Sequence, residues 1–162
     1  MHQFNIYLAI IPLALTLVAC NEKTEEDLAL HACEHVTETG EAVDAAADAA
    51  DAPYITMSDE PYTITLVDGS GFVSIDVPED SLALMFTDTA DLISGLSHDG
   101  EDEVLAAGTA NDDCPDDLPE HWDLDLHAGE WTVEFGPSAV DSAWLMVIAG
   151  EHSDEDHDDH DH

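Results

Sequence analysis

The chain has 162 residues, 44% of them apolar, which is enough for one domain with one hydrophobic core. It carries 39 acidic residues against a single basic one, Lys23, so its formal net charge is -38 at pH 7. Binding to nucleic-acid phosphates needs Lys and Arg, and this balance therefore excludes nucleic acid as a partner.

The first predicted element is an export signal at residues 1–19. Its apolar run, Phe4 to Ala19, is too short and too close to the amino terminus to favour a membrane-spanning helix. The run ends in Leu-Val-Ala-Cys, which resembles the lipobox of bacterial lipoproteins and implies that Cys20 becomes lipidated. Asn21 resembles the sorting pattern of outer-membrane lipoproteins. An ordinary secretory signal or an uncleaved anchor is the alternative, because no Lys or Arg precedes the run.

A polar tether at residues 20–27 is predicted to join the lipid to a folded domain at residues 28–150. The domain begins with Leu28, Ala32 and Val36, whose spacing predicts a short N-terminal helix. With Cys20 lipidated, Cys33 and Cys114 remain. An even pair in an exported protein favours a disulfide over two free thiols.

The alanine-rich stretch at residues 41–53 suits either a helix with one polar face or an alternating strand. After Pro53 the pattern has period two and predicts strands separated by Gly, Pro and Asp turns, the first two forming a hairpin around Asp68–Gly71. The first predicted strand begins at Tyr62 and the second at Phe72 or Val73. The later ones are Leu82–Phe86, Leu92–Leu96, Val104–Ala107, Trp122–Leu126, Trp131–Phe135 and Ala143–Ile148. The fold prediction is a mainly β protein, an antiparallel β-sandwich with a short N-terminal helix and a disordered C-terminal tail.

The order GFVSIDV, SLALMF, LDLHAGEWTVEF, AWLMVI resembles small β-sandwich domains of the bacterial pre-peptidase C-terminal type, over roughly Tyr62 to Ile148. The ACEH segment, the second cysteine and the His-rich end resemble uncharacterised bacterial lipoproteins suspected of handling zinc. This resemblance implies metal handling and assigns no catalytic residue.

The tail, residues 151–162, has no apolar residue and is predicted to be disordered. Its four histidines are interleaved with carboxylates, a mixture that suits borderline divalent ions such as zinc and also binds nickel and copper. They are His152, His157, His160 and His162. The alternative is that these residues only reflect the composition of a salt-adapted protein.

A second candidate metal site comes from the HACEH segment. A helix would place His31 and His35 on one face, and a Cys33–Cys114 disulfide would bring His121 towards them, since His121 is seven residues beyond Cys114. Three such ligands could hold zinc. The alternative is that exposed histidines flank a structural disulfide.

Other groups give weaker signals. His98 and His127 are expected at the surface, and Trp122, Trp131 and Trp144 in the core rather than on a sugar-binding platform. Acidic loops at residues 99–103 and 111–117 offer oxygen ligands for calcium without EF-hand spacing. No catalytic motif is recognised, so an enzyme is not expected.

The sequence therefore predicts a lipid-anchored protein of the bacterial envelope, in the outer membrane. Its predicted function is divalent metal binding, with zinc favoured, as a reservoir or as a feeder to an uptake transporter. Two alternatives stay open: an acidic structural or interaction lipoprotein of a salt-adapted bacterium, and a calcium-dependent polysaccharide binder.

Overall fold

The computed structural model describes residues 24–150 as one helix and two β-sheets packed face to face. In chain order the elements are α1 (Glu25–His35), β1 (Glu41–Asp44), a 3-10 turn (Ala49–Asp51), β2 (Tyr54–Ile55), β3 (Tyr62–Thr65), β4 (Gly71–Val77), β5 (Ser81–Thr87), β6 (Ile93–His98), β7 (Glu101–Glu103), β8 (Thr109–Ala110), β9 (Glu120–Leu126), β10 (Gly129–Phe135) and β11 (Ser142–Ala149). This arrangement confirms the predicted mainly β sandwich.

The first sheet has the strand order β1-β3-β11-β5-β9-β8, and the second has the order β2-β4-β10-β6-β7. The neighbours pair antiparallel except at one edge of each sheet, where β1 runs parallel to β3 and β2 runs parallel to β4. The two parallel edge strands, β1 and β2, both precede Pro61. Each adds to the edge of a sheet that is otherwise formed by later strands.

The main core lies between the sheets and follows from the period-two pattern of the strands. In β9, Trp122, Leu124 and Leu126 point inwards, while the residues between them lie on the other face. Trp131 belongs to the same core at 4% exposure. The expectation that the tryptophans are core residues is confirmed, since Trp144 is also buried.

A second core lies on the outer face of the first sheet, beneath α1. Alternate residues of β5 and β11 face outwards here and pack against one stripe of the helix. The cluster comprises Leu28, Ala29, Ala32, Leu84, Phe86, Leu118, Trp144, Met146 and Ile148. Because both of its faces are covered, β11 is a continuous apolar run rather than an alternating one.

The predicted hairpin between β3 and β4 is wrong. Asp68 and Gly69 form a turn at positive φ, and Val67 pairs with Ser70 in an isolated bridge, but β3 continues in the first sheet and β4 in the second. Both sheets of a sandwich require the same alternation, so the pattern does not distinguish a hairpin from a corner between sheets.

The strand predicted at Val104–Ala107 is also wrong. Strand β7 ends before it, β8 begins after it, and Val104 is 98% exposed. Strand β7 is instead fixed by the tight turn at Asp99 and Gly100, both at positive φ, which pairs β7 directly with β6.

Two boundaries near the amino terminus differ from prediction. Residues 41–53 are neither one helix nor one strand, since β1 and the 3-10 turn share the stretch. The helix begins at Glu25, so the last three residues of the predicted tether, residues 25–27, belong to it. The signal at residues 1–19, Cys20 with the rest of the tether up to Lys23, and the tail at residues 151–162 lie outside the described residues. Within residues 24–150, no helix is long and apolar enough to span a membrane.

Candidate metal centre

His121 lies in β9 on the outer face of the first sheet. It pairs with Phe86 across β5, with the two ring centroids 5.5 Å apart, and it is only 5% exposed. Because side chains alternate along a strand, Trp122 enters the main core while His121 turns towards the helix side. A polar ring is thus placed at the edge of an apolar cluster.

The ring nitrogens of His121 make no hydrogen bond within residues 24–150, although both are shielded from solvent. Leaving a buried polar atom unpaired costs about 1–3 kcal/mol, so most such atoms in folded proteins have a partner. A buried imidazole in this state marks a position that an additional ligand can complete.

Glu25 brings a carboxylate to this imidazole. Its Oε1 lies 3.4 Å from Nε2 of His121. Glu25 is the first residue of α1, and a capping box fixes that turn: Thr24 Oγ1 accepts from the Asp27 N–H, and Asp27 Oδ2 accepts from the Thr24 N–H. The backbone under Glu25 is therefore held, while its side chain, 61% exposed, keeps room to adjust.

Asp123 completes the group from the same strand. It stands two residues after His121 and therefore on the same face of the sheet. One potential ligand atom from each of Glu25, His121 and Asp123 lies within 4.8 Å of the other two. Zinc bonds of about 2.0–2.2 Å in a tetrahedral site place ligand atoms roughly 3.3–3.6 Å apart, and the 3.4 Å between Nε2 of His121 and Oε1 of Glu25 falls within this range.

A cleft of about 480 Å³ opens beside His121 and gives the site access to solvent. Carboxylates of the loop between β8 and β9 stand along it, so further oxygen donors lie around the imidazole. The lining residues are Thr24, Glu25, Ala29, Thr109, Ala110, Asn111, Asp112, Asp113 and His121.

The predicted convergence of His31, His35 and His121 does not occur. The helix does place His31 and His35 together, with ring centroids 4.6 Å apart, but His121 meets Glu25 instead. At 3.6 residues per turn, His31 lies about 120° around the axis of α1 from Glu25. His35 lies roughly 15 Å from Glu25 along that axis. His121 therefore meets the first turn of α1, whereas the histidine pair lies on its later turns.

The predicted disulfide is confirmed. Cys33 and Cys114 are bonded, with their Cα atoms 5.9 Å apart. The amide Nδ2 of buried Asn111 contacts both sulfurs, at 3.8 Å from Cys33 and 3.5 Å from Cys114. The bond ties α1 to the loop that precedes β9, and so ties the element of Glu25 to that of His121.

The remaining predicted histidines lie apart from this group. His98 stacks on Trp131 with ring centroids 4.6 Å apart, and its Nε2 is 3.2 Å from the carbonyl of Ala128. His127 is 65% exposed, with Nδ1 3.6 Å from Asp80. The lipidation site Cys20 and the tail histidines His152, His157, His160 and His162 lie outside the described residues.

Two residues of the group, Glu25 and Asp123, were missed by the sequence analysis. The pattern Thr24-x-x-Asp27 is a capping signature that would have begun the helix at Glu25. Asp123 follows His121 at strand spacing, which places both on one face. What no local pattern shows is that this face lies under the first turn of α1.

No known protein-family model matches the chain, and no curated protein matches it significantly.

Proposed function

We propose that this protein binds divalent metal ions, zinc foremost, at the bacterial cell envelope. The observation that carries the proposal is the buried imidazole of His121, without a hydrogen bond in the described range and grouped with two carboxylates. Acidic clusters alone are common on so charged a surface, but a solvent-shielded imidazole without a hydrogen bond among carboxylates is not.

The donor set favours a borderline ion. One imidazole and two carboxylates suit zinc, and nickel and copper follow from the general affinity order. Three protein ligands beside an open cleft leave a coordination position for water or for a ligand of another protein. Such a site exchanges its ion, as a reservoir or a feeder to an uptake transporter requires.

The proposed location rests on the amino-terminal sequence. The lipobox-like ending at Cys20 supports a lipid anchor, and the Cys33–Cys114 disulfide is typical of an oxidising compartment. Glu25 is five residues from Cys20, so the metal centre would stand close to the membrane surface. The histidine-rich tail would collect ions around it.

One rival function has support of its own, namely an acidic structural lipoprotein of a salt-adapted bacterium. A surface with 39 acidic residues and one basic residue is what such a habitat favours. In that case monovalent salt screens the repulsion between the carboxylates, and zinc has no defined site.

Calorimetric zinc titration at high salt tests the proposal. The protein is the mature chain with Cys20→Ser and with the four tail histidines changed to glutamine, termed the tail-substituted chain. In this background His121→Gln should weaken one zinc equivalent at least about tenfold, since even outer-shell partners of metal sites contribute that much. Glu25→Gln and Asp123→Asn, both exposed, should act in the same direction without affecting the core.

His127→Gln is the matched control, because this histidine is exposed and distant in register from the group. It should leave zinc binding unchanged. Equal zinc isotherms for His121→Gln and His127→Gln would rule out the metal centre. Unchanged zinc affinity in both Glu25→Gln and Asp123→Asn would argue that His121 is only a buried structural residue.

A further inference from the structure

Gly150, the last described residue, lies on the same outer face of the first sheet as the candidate metal centre. Its backbone N–H donates to the carbonyl of Leu82 at 2.7 Å, which places it beside β5. Leu82 pairs in turn with Asp125 of β9, two residues after Asp123. Gly150 is therefore two strands across the sheet from the strand that carries His121 and Asp123.

A cleft of about 330 Å³ joins Gly150 to the candidate metal centre. Glu25 and Asp123, two of the three candidate ligands, line this cleft together with Gly150. Leucines of α1, β5 and β9 form most of its other walls. The chain that continues from Gly150 therefore has a path along the cleft to both carboxylates.

The candidate metal centre is one ligand short of a closed tetrahedral zinc site. Three side chains supply ligand atoms, and the imidazole of His121, 5% exposed, has no hydrogen bond within residues 24–150. The carboxylates of Glu25 and Asp123 already balance the charge of a divalent ion. A neutral imidazole completes such a site without adding negative charge, whereas a further carboxylate would be repelled by the two present.

Chain length determines which tail histidine can supply this imidazole. With strands about 4.8 Å apart and a rise of about 3.4 Å per residue, Gly150 lies roughly 12 Å from Asp123 and roughly 17 Å from His121. At no more than about 3.6 Å per residue, His152 covers roughly 7 Å, about half of this distance. His157 covers up to roughly 25 Å and is the first tail histidine that spans it. The histidines beyond it close longer loops, which cost more entropy.

We propose that His157 is the fourth ligand of an ion held by Glu25, His121 and Asp123. This rests on the proposed metal-binding function and adds that the chain closes its own site. Four side chains then hold the ion, and three hold it with an open position when His157 leaves. Residues 151–162 contain seven carboxylates, so the tail and the centre repel each other unless a cation lies between them. Docking of the tail therefore needs the metal.

A thermodynamic cycle between His157 and His121 tests whether both bind one ion. The His157 chain is the mature protein with Cys20→Ser and three tail substitutions, His152→Gln, His160→Gln and His162→Gln. It differs from the tail-substituted chain at one position only. Calorimetry at high salt should show the same number of zinc ions bound to both chains, with one ion at least about tenfold tighter in the His157 chain. His121→Gln should abolish this gain, because the two residues share the ion.

The matched control is a His152 chain, in which His152 is the single tail histidine. Its imidazole has acidic neighbours as well, but its backbone is too short, so it should gain little affinity. Asp123→Asn, which is exposed, repeats the cycle without altering the buried ring of His121 and should reduce the gain. Equal gains in the two chains, an additional zinc ion in the His157 chain, or a full gain after His121→Gln would overturn the proposal.

Nitrogen-15 NMR of the imidazoles distinguishes this proposal from the function on which it rests. In the His157 chain, zinc should shift the ring nitrogens of His121 and His157 with one midpoint, because a single ion binds both. If the ring of His121 responds to zinc and that of His157 does not, the metal centre stands and the tail ligand is wrong. If His121 does not respond, the proposed function fails, and the shared ion fails with it.

Discussion

Glu120 and His121 are neighbours in β9 whose side chains meet different surroundings. While His121 faces the helix, Oε1 of Glu120 accepts the backbone N–H of Asp91 at 2.5 Å. Partial burial raises the pKa of Glu120 above 4.5, and the hydrogen bond from Asp91 only partly opposes this. The carboxyl group therefore binds a proton more tightly in the folded chain than in the unfolded chain.

This raised pKa predicts that Glu120 lowers stability as the pH increases. The stabilisation from the protonated carboxyl is complete below the unfolded pKa of 4.5 and is lost as the pH rises through the folded value. Glu120→Gln removes the titrating group. As the pH rises through this window, the free energy of unfolding should therefore fall less in the variant than in the parent protein. Urea unfolding at a series of pH values, at high salt to limit general repulsion, measures the difference.

Glu103→Gln is the control, because it removes one negative charge from the exposed strand β7. It corrects for the repulsion that any single carboxylate adds. If the two variants change the pH dependence equally, partial burial of Glu120 contributes nothing specific.

Single residues were predicted well where their chemistry is rare in the chain. Only two cysteines remain after Cys20, so their pairing followed from counting, and ten histidines stand out among 39 acids. Carboxylate ligands could not be chosen in this way. Glu25 and Asp123 become distinctive only when the fold places them beside His121.

Helix α1 is the element that connects the disulfide, both histidine groups and the outer face of the sheet. Its capping box fixes the first turn, and Cys33 fixes the last turns to the loop at Cys114. Between these points the helix depends on a narrow apolar stripe of Leu28, Ala29 and Ala32. A helix of 11 residues is marginal by itself, so the attachments at its ends determine where Glu25 stands.

Removing the disulfide should therefore weaken both stability and zinc binding. The bond spans 81 residues, and native disulfides of this kind contribute about 2–5 kcal/mol. Cys33→Ser/Cys114→Ser should lower the free energy of unfolding by that amount. It should also lower zinc affinity at the Glu25–His121–Asp123 group, because α1 is no longer tied to the loop before β9. Chemical unfolding and calorimetry in the tail-substituted chain measure the two effects.

Ile75→Ala separates these effects. Ile75 is fully buried in β4 of the second sheet, away from α1, and its truncation should cost about 2–5 kcal/mol. At similar stability this variant should keep the zinc affinity of the parent. If it loses affinity as the cysteine variant does, general destabilisation rather than the position of α1 explains the loss.

Elements were predicted where local pattern decides them, and missed where pairing decides them. Strands β9 to β11 match their predicted positions within a few residues, since alternating or continuous apolar runs define them. The strand expected at Val104–Ala107 and the first hairpin failed because each depended on which strand lies alongside. The two-residue strands β2 and β8 carry too little pattern to be recognised.

At the scale of the whole molecule, the charge lies on the surface. Among residues 24–150 whose burial is described, the buried polar residues are Ser74, Thr87, Asn111 and His121, with no carboxylate among them. The acidic residues therefore repel one another through solvent and destabilise the compact state unless salt screens them. A halophilic surface and a metal-collecting surface both begin from this arrangement, and they differ in how they respond to different cations.

Salt and zinc should stabilise the protein independently. Sodium chloride at about 1 M reduces the screening length to about 3 Å, so the melting temperature should rise steeply from low to high salt. If zinc occupies defined sites, it should raise the melting temperature further at high salt. The added stability should follow RT ln(1 + [Zn]/Kd), about 2.7 kcal/mol at a hundredfold excess over Kd.

Melting temperatures measured over a range of sodium chloride and zinc concentrations distinguish a halophilic surface from a metal-collecting one. Diffuse carboxylate binding weakens as salt screens it, whereas a site with buried imidazole nitrogens is screened much less. Stabilisation by zinc that persists at high salt and is lost in His121→Gln would support metal binding. If the zinc effect disappears as sodium chloride increases, zinc acts only as a counter-ion, and the chain is an acidic domain built for a salty environment.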